Sequence, residues 1–486
     1  MRLTFLALAL SITAFVAASA RETLPDLGDA AAGELPWALE RRIGEETMRE
    51  IRSRDPAFVD DVEVTDYLDR LGRRLLEHVP GLRQDFEFFL LRDATSNAFA
   101  LPGGFVGVHS GLMLAAQSES ELASVIAHEI SHVTQRHLAR LSAKQGEAQW
   151  LAMLSSLVAI MAARNNPDLA QGALLAGVGA GLQTQLNYTR EFEREADRLG
   201  LELLDKAGFD VRGMASFFER MQRFGRLYES GTPGWLRTHP LTVERLADID
   251  NRIAAMPYRQ VADSLDFQLA RAKARAFDGP AAEAMAEFAA QLRERKFLSE
   301  AAARYGLARA ALRAGRFQTV ASELRALERL HVVHPMIETL AAELSVAQGD
   351  ASGAAERLGE AHRRWPDRLP LVLARLEALL AARQPALALE EARAARQLRP
   401  GNVRLWQFEA RALGALGDRA GQHLAQAESY ALQGLRRAAI EQLELAQKLP
   451  GSDFYRASEI DARLRALRRE EAEAARERAR EGRERR

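Results

Sequence analysis

His128-Glu129-Ile130-Ser131-His132 lies inside an apolar run that is predicted to be a helix, and it decides how the rest of the sequence is interpreted. Residues four apart on a helix differ by only about 40° of rotation, so both imidazoles project from one face. That geometry lets two nitrogens hold one zinc ion, with Glu129 beside the ion as a base that moves a proton from water to a leaving amine. With 10 histidines and 67 acidic residues in the chain, the pattern is expected about 0.03 times by chance. The alternative is a helix with partly buried, hydrogen-bonded histidines.

Two histidine ligands need a third ligand, and a catalytic zinc site keeps its fourth position open. Candidates lie in the acidic run 190–197, where Glu193 and Asp197 share one helix face. One of these carboxylates could bind zinc while the other orients an imidazole. His137 follows His132 by five residues, which on a continuous helix turns it about 140° from the ligand face, so it is predicted to have a structural role. Taken alone, the acidic run favours an exposed charged helix.

The composition of the chain sets the class of protein. At 486 residues, 47% hydrophobic and 27% charged, it is long enough for two to four domains and too charged for a polytopic membrane protein. The net charge of -1 gives no general attraction to nucleic acid, and no nucleic acid is expected as a partner. The absence of cysteine excludes disulfides, thiolate zinc sites and cysteine nucleophiles.

The N-terminus has the pattern of an export signal over residues 1–20. A short basic start and an apolar run end in Ala18-Ser19-Ala20, so cleavage is expected after Ala20. A buried helix or a membrane anchor is the alternative. A second apolar segment, 147–184, has two limbs that are short for crossing a bilayer. We expect these limbs to pack over the core or to cap a cleft, and no integral membrane span is expected, although contact with a membrane stays open.

Secondary structure is expected to be mainly α with a small β-sheet. The pattern over 37–80 is helical, strands are predicted over 86–90, 97–101 and 105–108, and everything after Ser110 is predicted helical.

A repeat is visible in the C-terminal half, beyond about residue 265. The turn positions Gly315, Gly349, Arg383 and Gly417 recur every 34 residues, each between two short amphipathic helices. This period matches the tetratricopeptide repeat, although the units lack most of its aromatic consensus. Generic helical hairpins are the alternative. We predict an all-α solenoid over 265–467 and a solvated charged tail over 468–486.

The motifs together resemble a known family. The pentapeptide that begins at His128, followed by Glu193-Arg194-Glu195-Ala196-Asp197, is similar to the HExxH…ExxAD pair of the HtpX-like gluzincin metalloproteases. Residues 97–104 and 121–123 also resemble that family. An export signal, this catalytic domain over 21–260 and C-terminal repeats together resemble its periplasmic members, which act as protease and chaperone in outer-membrane assembly.

This resemblance implies roles for individual residues. His128, His132 and Glu193 would hold one Zn²⁺ per chain, with Glu129 as the catalytic base and Asp197 supporting a ligand. His239, between Thr238 and Pro240, would approach the zinc and block its water position. From the residues alone, His239 is a mobile imidazole in a loop, and whether it inhibits or assists stays open. The segment that contains Asn97, Ala98 and Phe99 would be the edge strand that pairs with substrate, or else an ordinary strand that ends in a Pro-Gly turn.

Two functions of different classes follow from these features. The first is an exported zinc-dependent metalloendopeptidase of the periplasm. Its substrates would be unfolded or stalled outer-membrane proteins, and its repeats would bind the outer-membrane β-barrel assembly machinery. The second is a mainly non-proteolytic periplasmic chaperone or adaptor in which the repeats do the work. A further alternative, a membrane-embedded prenyl-protein protease, needs spanning helices that this composition does not supply.

Overall fold

The computed structural model describes residues 36–82, 84–145, 190–227, 235–236, 239–449 and 454–484. The predicted export signal and the whole of the apolar segment 147–184 lie outside the described residues. The elements of the first part are α1 (Trp37–Arg54), β1 (Phe58–Val59), α2 (Val62–Leu76), β2 (Glu87–Leu91), β3 (Ala98–Leu101), β4 (Phe105–His109), α3 (Ser110–Ala115), α4 (Glu119–Thr134), α5 (His137–Gln145), α6 (Arg190–Lys206), α7 (Arg212–Leu227) and α8 (Val243–Ala254).

The second part is helical throughout its described residues. Its elements are α9 (Leu265–Phe277), α10 (Ala281–Glu294), α11 (Glu300–Arg313), α12 (Phe317–Arg329), α13 (Pro335–Ala347), α14 (Ala351–Arg364), α15 (Leu369–Ala381), α16 (Pro385–Leu398), α17 (Val403–Ala415), α18 (Arg419–Leu432), α19 (Arg436–Gln447) and α20 (Phe454–Glu484). Among the residues that the structure describes, no helix is both long and apolar enough to cross a membrane.

The sheet is small and has helices on both faces. Its strand order is β1-β2-β4-β3, with β2 parallel to β4 and β3 antiparallel to β4 at one edge. Met48 and Ile51 of α1 cover the face that carries Phe89 and Phe99, while Phe88 on the other face joins the core of α2 and α4. Because both faces are covered, β2 is buried almost throughout and its sequence does not alternate cleanly.

The prediction of a helical pattern over 37–80 is wrong at β1. The helix α1 ends before Asp55, whose backbone is extended (φ -87°, ψ 109°). Pro56 follows, and a residue that precedes proline is disfavoured in the helical conformation. The chain therefore leaves the helix at this point, and Phe58 pairs with Leu91 of β2.

The helix α4 occupies the centre of the first part. Ser118 caps its N-terminus by accepting a hydrogen bond from the backbone N–H of Glu121 at 3.2 Å, an arrangement that satisfies one of the orphan donors of a helix start. Every residue from Glu119 to Val133 is buried. A helix that is buried on all sides must find internal partners for its polar side chains.

The second part is a series of antiparallel helical hairpins. The backbone is left-handed at the predicted turn positions, with φ of 66° at Gly315, 92° at Gly349, 57° at Arg383 and 84° at Gly417. This conformation ends a helix and favours glycine, which has no Cβ penalty there. The predicted fold class, mainly α with a small β-sheet and a repeat-like helical C-terminal half, is confirmed.

One hydrophobic core runs through both parts. Leu68 and Leu75 of α2 belong to the same cluster of buried residues as Phe267 of α9, Tyr305 of α11 and Leu340 of α13. The helix α2 is therefore shared, since it packs on the sheet and α4 on one side and on the first repeat helices on the other.

A buried ionic cluster holds the same interface at the N-terminus of α2. Asp61 caps this helix and lies 2.7 Å from Nζ of Lys273. Glu63 accepts hydrogen bonds from Lys273 at 2.5 Å, from Arg309 at 2.7 Å and from the hydroxyl of Thr339. Burial alone would raise the pKa of Glu63, but the charges of Lys273 and Arg309 outweigh it and lower the pKa to about 2.

We expect this cluster to make the stability of the chain depend on acid. The pKa of Glu63 is lower in the folded chain (about 2) than its ordinary value of 4.5. The contribution of its carboxylate to the free energy of unfolding is therefore complete above pH 4.5 and is lost as the pH falls towards 2. The shift in pKa corresponds to about 3 kcal/mol. The measurement is the free energy of unfolding from denaturant titrations across this range, for the wild type and for Glu63→Gln.

The difference between these two proteins should shrink as the pH falls, because the Gln variant has no carboxylate to protonate. Glu50→Gln removes the same charge from a half-exposed position on α1 and controls for net charge. A constant difference between wild type and Glu63→Gln at all pH values would contradict the prediction.

Candidate metal centre

Four buried side chains converge at one point beside α4. His128 and His132 project from one face of this helix, Glu193 comes from α6, and His239 comes from the segment before α8. Each offers one ligand atom, and these four atoms all lie within 4.8 Å of one another. Nε2 of His132 is 3.0 Å from Nε2 of His128, and Nδ1 of His239 is 3.0 Å from Oε1 of Glu193. The structure thus brings together the three sequence-predicted ligands and adds His239 to them.

The residues present fit a metal ion. Imidazole nitrogens and a carboxylate oxygen are donors that suit zinc and similar transition metals better than calcium or magnesium. Oε2 of Glu129 is buried beside this cluster and has no hydrogen-bond partner among the described residues. A buried carboxylate oxygen without a partner costs free energy of folding. The position of Oε2 beside the donors therefore fits a site that binds further ligands.

Glu129 lies next to the cluster and outside the ligand set. Its Oε1 accepts a hydrogen bond from the indole N–H of Trp235 at 3.2 Å and lies 3.4 Å from Nε2 of His239. The indole of Trp235 is fully buried and stacks on the imidazole of His239, with ring centroids 4.9 Å apart. The sequence contained no signal for this contact, since Trp235 and Glu129 are 106 positions apart in the chain.

Asp197 lies behind His128, as the sequence suggested for one of the two carboxylates. Its Oδ1 is 3.0 Å from Nδ1 of His128. Burial alone would lower the pKa of His128, but hydrogen bonds with Asp197 and Glu193 outweigh it and raise the pKa to about 9.

Arg245 on α8 is a site residue that sequence reasoning missed. It is buried, and its Nε and Nη1 lie 2.7 Å from Asp197 and 2.8 Å from Glu193. Burial raises the pKa of Glu193, but the charges of His239 and Arg245 and hydrogen bonds to the histidines hold it well below its usual range. No spacing rule links Arg245 to the acidic run, so the sequence offered no signal for this pair.

His137 does not lie where the sequence placed it. The prediction assumed one continuous helix, but α4 ends at Thr134 and Arg136 is left-handed (φ 52°). The chain turns back, and Nδ1 of His137 lies 2.8 Å from Nδ1 of His132. Its Nε2 lies 3.1 Å from Glu195. Burial is the main reason why the pKa of His137 is lowered to about 4.

The predicted edge strand borders the site. Ala98 and Phe99 lie in β3, the edge strand of the sheet, and Asn97 directly precedes it. The backbone N–H of Trp235 donates to the carbonyl oxygen of Ser96 at 3.1 Å. The segment that carries Trp235 and His239 is thus anchored at the start of the edge strand.

Comparisons with known proteins agree with this geometry. Residues 63–253 match the model of peptidase family M48. The beta-barrel assembly-enhancing protease of Escherichia coli is 33% identical over 453 residues, which cover 93% of this chain and 92% of that protein. The protein of the same name from Yersinia pestis is 32% identical, with the same coverage of both chains. The mitochondrial metalloendopeptidase OMA1 of Arabidopsis thaliana is 29% identical over 46% of this chain and 42% of its own.

The TPR domain of P58(IPK), a solved structure, covers 69% of this chain and 98% of its own chain at 15% identity, with a TM-score of 0.16. The relatives are metalloproteases, and the expectation that this chain is such an enzyme is confirmed. The matching M48 region contains the buried donors on α4 and α6 and also His239. Because it is 33% identical to the Escherichia coli protein over nearly the whole of both chains, this chain belongs to the beta-barrel assembly-enhancing proteases, within peptidase family M48.

Proposed function

We propose that this chain is an exported zinc endopeptidase of the periplasm that acts on outer-membrane proteins which have failed to assemble. The observation that carries the proposal is the set of four buried ligand atoms within 4.8 Å of one another, with a carboxylate beside them that is not in the set. The export pattern over residues 1–20 supports the periplasm, and cleavage after Ala20 is part of the proposal.

His128, His132 and Glu193 would hold one zinc ion per chain. When bound, zinc polarises the scissile carbonyl and lowers the pKa of water. Glu129 is the base in this proposal. Its Oε1 accepts the N–H of Trp235, which leaves Oε2 to take the proton from water and return it to the leaving amine. Asp197, whose Oδ1 lies 3.0 Å from Nδ1 of His128, would orient that ring, and Arg245 holds both acidic side chains in place.

The edge strand β3 is the proposed place for substrate. An extended segment can add to a sheet edge through backbone hydrogen bonds, with little demand on its sequence. Asn97, Ala98 and Phe99 would supply that edge beside α4. Such pairing needs an unfolded stretch of substrate, which suits a protease that removes unassembled chains.

The helical repeats are the proposed partner-binding part. The printed name of the relatives says that they enhance beta-barrel assembly, which supports outer-membrane β-barrel proteins as clients and the assembly machinery as the partner. The first repeat helices already pack on α2. Contacts with the first part reach as far as α17, where Arg404 donates to the carbonyl oxygen of Asp60 at 2.9 Å. The partner would therefore bind to repeat surfaces that face away from the first part.

We expect Glu129→Gln to abolish proteolysis while the chain keeps its metal. The amide cannot take a proton, yet it removes no ligand, and loss of a general base costs about 10²–10⁴-fold in rate. Casein cleavage and zinc content of the purified full-length chain test this, with His128→Ala as the matched variant that should lose both. Wild-type cleavage by the Gln variant, or no zinc in the wild type after zinc is added, would contradict the proposal.

A mainly non-proteolytic chaperone or adaptor is the second candidate function. The observation that favours it is the position of His239, whose Nδ1 lies 3.3 Å from Nε2 of His128 within the ligand cluster. A site with this position filled would be slow as a protease. Complementation separates the two functions: if Glu129→Gln fully restores a deletion strain, the adaptor function is the one that matters.

We expect His239→Ala to retain zinc and to raise proteolysis about tenfold or more, which corresponds to about 1.4 kcal/mol of the barrier. Removal of this imidazole frees the fourth position and leaves three ligands in place. The measurements are zinc content and casein cleavage, with His423→Ala in α18 as a control at a distant histidine. A fall in activity at unchanged zinc content would instead mean that His239 stabilises the transition state. Loss of both zinc and activity would make it a required ligand.

A further inference from the structure

The two histidines on α4 are supported in different ways. Nδ1 of His128 faces a carboxylate directly, at 3.0 Å from Asp197. Nδ1 of His132 faces another imidazole, at 2.8 Å from Nδ1 of His137. His137 in turn contacts Glu195 through Nε2 at 3.1 Å. One histidine therefore stands between His132 and the carboxylate that supports it.

The orientation of His132 decides where each proton must be. Its Nε2 faces the ligand cluster, 3.0 Å from Nε2 of His128 and 3.5 Å from Oε1 of Glu193. A nitrogen that binds a metal ion must offer a lone pair, so the ring proton of His132 must lie on Nδ1. The N–H at Nδ1 then donates to Nδ1 of His137. As a result, His137 carries its own proton on Nε2 and donates it to Glu195.

His137 is held firmly enough to impose this arrangement. It is fully buried and stacks on Phe192, with ring centroids 4.5 Å apart and an angle of 11° between the rings. Arg140 contacts both neighbours of His137. It donates to Glu195 at 2.9 Å, and its guanidinium lies 4.5 Å from the ring of Phe192. Phe192 directly precedes Glu193, so the support of His132 and the carboxylate ligand come from the same turn of α6.

A second contact fixes the reversal that brings His137 to this place. The turn runs through Arg136, which is left-handed, a rare conformation for a residue with a Cβ. Its guanidinium is buried, donates to Glu40 of α1 at 2.9 Å and stacks over the ring of Trp37 at 4.1 Å. The helix α1 thus stabilises the turn between α4 and α5.

We propose that His137 is a positioning residue that fixes the tautomer and ring orientation of His132 and thereby tightens metal binding. The inference rests on the proposed function, in that His132 is taken as a ligand. His137 acts only through His132. Residues in such supporting positions typically change metal affinity about 10- to 100-fold.

Three substitutions at His137 separate this role from packing. His137→Phe keeps a ring against Phe192 and removes both nitrogens. His137→Asn places an amide oxygen near the position of Nδ1, where it can accept from His132. His137→Gln reaches further, to the position of Nε2, and leaves Nδ1 of His132 without its acceptor. Glu202→Gln on the exposed side of α6 is the control.

The measurements are the zinc dissociation constant of the full-length chain, from competition with a chromogenic chelator, and the thermal unfolding of the metal-free chain. We expect the zinc affinity of the Phe and Gln variants to fall roughly 10- to 100-fold, with the Asn variant close to wild type. The unfolding temperatures of the three metal-free variants should not follow the order of their zinc affinities. If His137 had only a packing role, the zinc affinities would follow the unfolding temperatures. If the Phe variant fails to fold, the Asn and Gln variants decide.

Equal zinc affinity of the Asn and Gln variants would overturn the inference, as would wild-type affinity of the Phe variant. These outcomes leave the proposed function intact if the wild type binds zinc and cleaves casein. Absence of zinc from the wild type would instead defeat the proposed function. The two failures are therefore distinguishable by measurements on the wild type alone.

Discussion

The burial of α4 is the constraint on which the rest of the structure depends. This helix is buried from Glu119 to Val133, yet it carries the polar side chains of His128, Glu129 and His132. Polar groups removed from water must be paired inside the protein, or the chain loses several kcal/mol for each. The arrangement of α5, α6 and the segment before α8 follows from this requirement, because each supplies partners to that one helix. The helix α8 supplies Arg245 to the carboxylates of α6.

The partners form two shells with different chemistry. Next to the imidazoles lie Glu193 and His239, which extend the donor set, and behind them lie Asp197 and Arg245, which balance its charge. A buried arginine that contacts two carboxylates is favourable only where the geometry is good and the remaining lone pairs are used. Here Asp197 and Glu193 are both engaged with histidines as well, so the site is held in shape from several elements at once.

The helix α2 imposes a similar constraint on the junction of the two parts. Its first turn carries Glu63 into an interface where Lys273 and Arg309 are also buried. Such clusters contribute less to net stability than an apolar interface of the same size, but removal of one member leaves the others unpaired. They therefore restrict how the repeats can pack on the catalytic part. The repeat helices and the metal centre share one continuous core through α2, so the first repeats are not free to serve as a separate binding surface.

Local patterns in the sequence determined the spacing of the histidines on α4 and the positions of the repeat turns. The four-residue spacing of His128 and His132 places both on one helix face, and the 34-residue period places left-handed turns at Gly315 and its equivalents. Both are consequences of backbone geometry within a few residues, which a sequence displays directly. The acidic run also carried Glu193 and Asp197, the two carboxylates that contact His128, at a recognisable spacing. The sequence did not reveal the reversal at Arg136, the contact of Trp235 with Glu129, or the salt bridges of Arg245. These features depend on which helix faces meet, and the packing of the whole core decides that. Only the tertiary structure displays this packing.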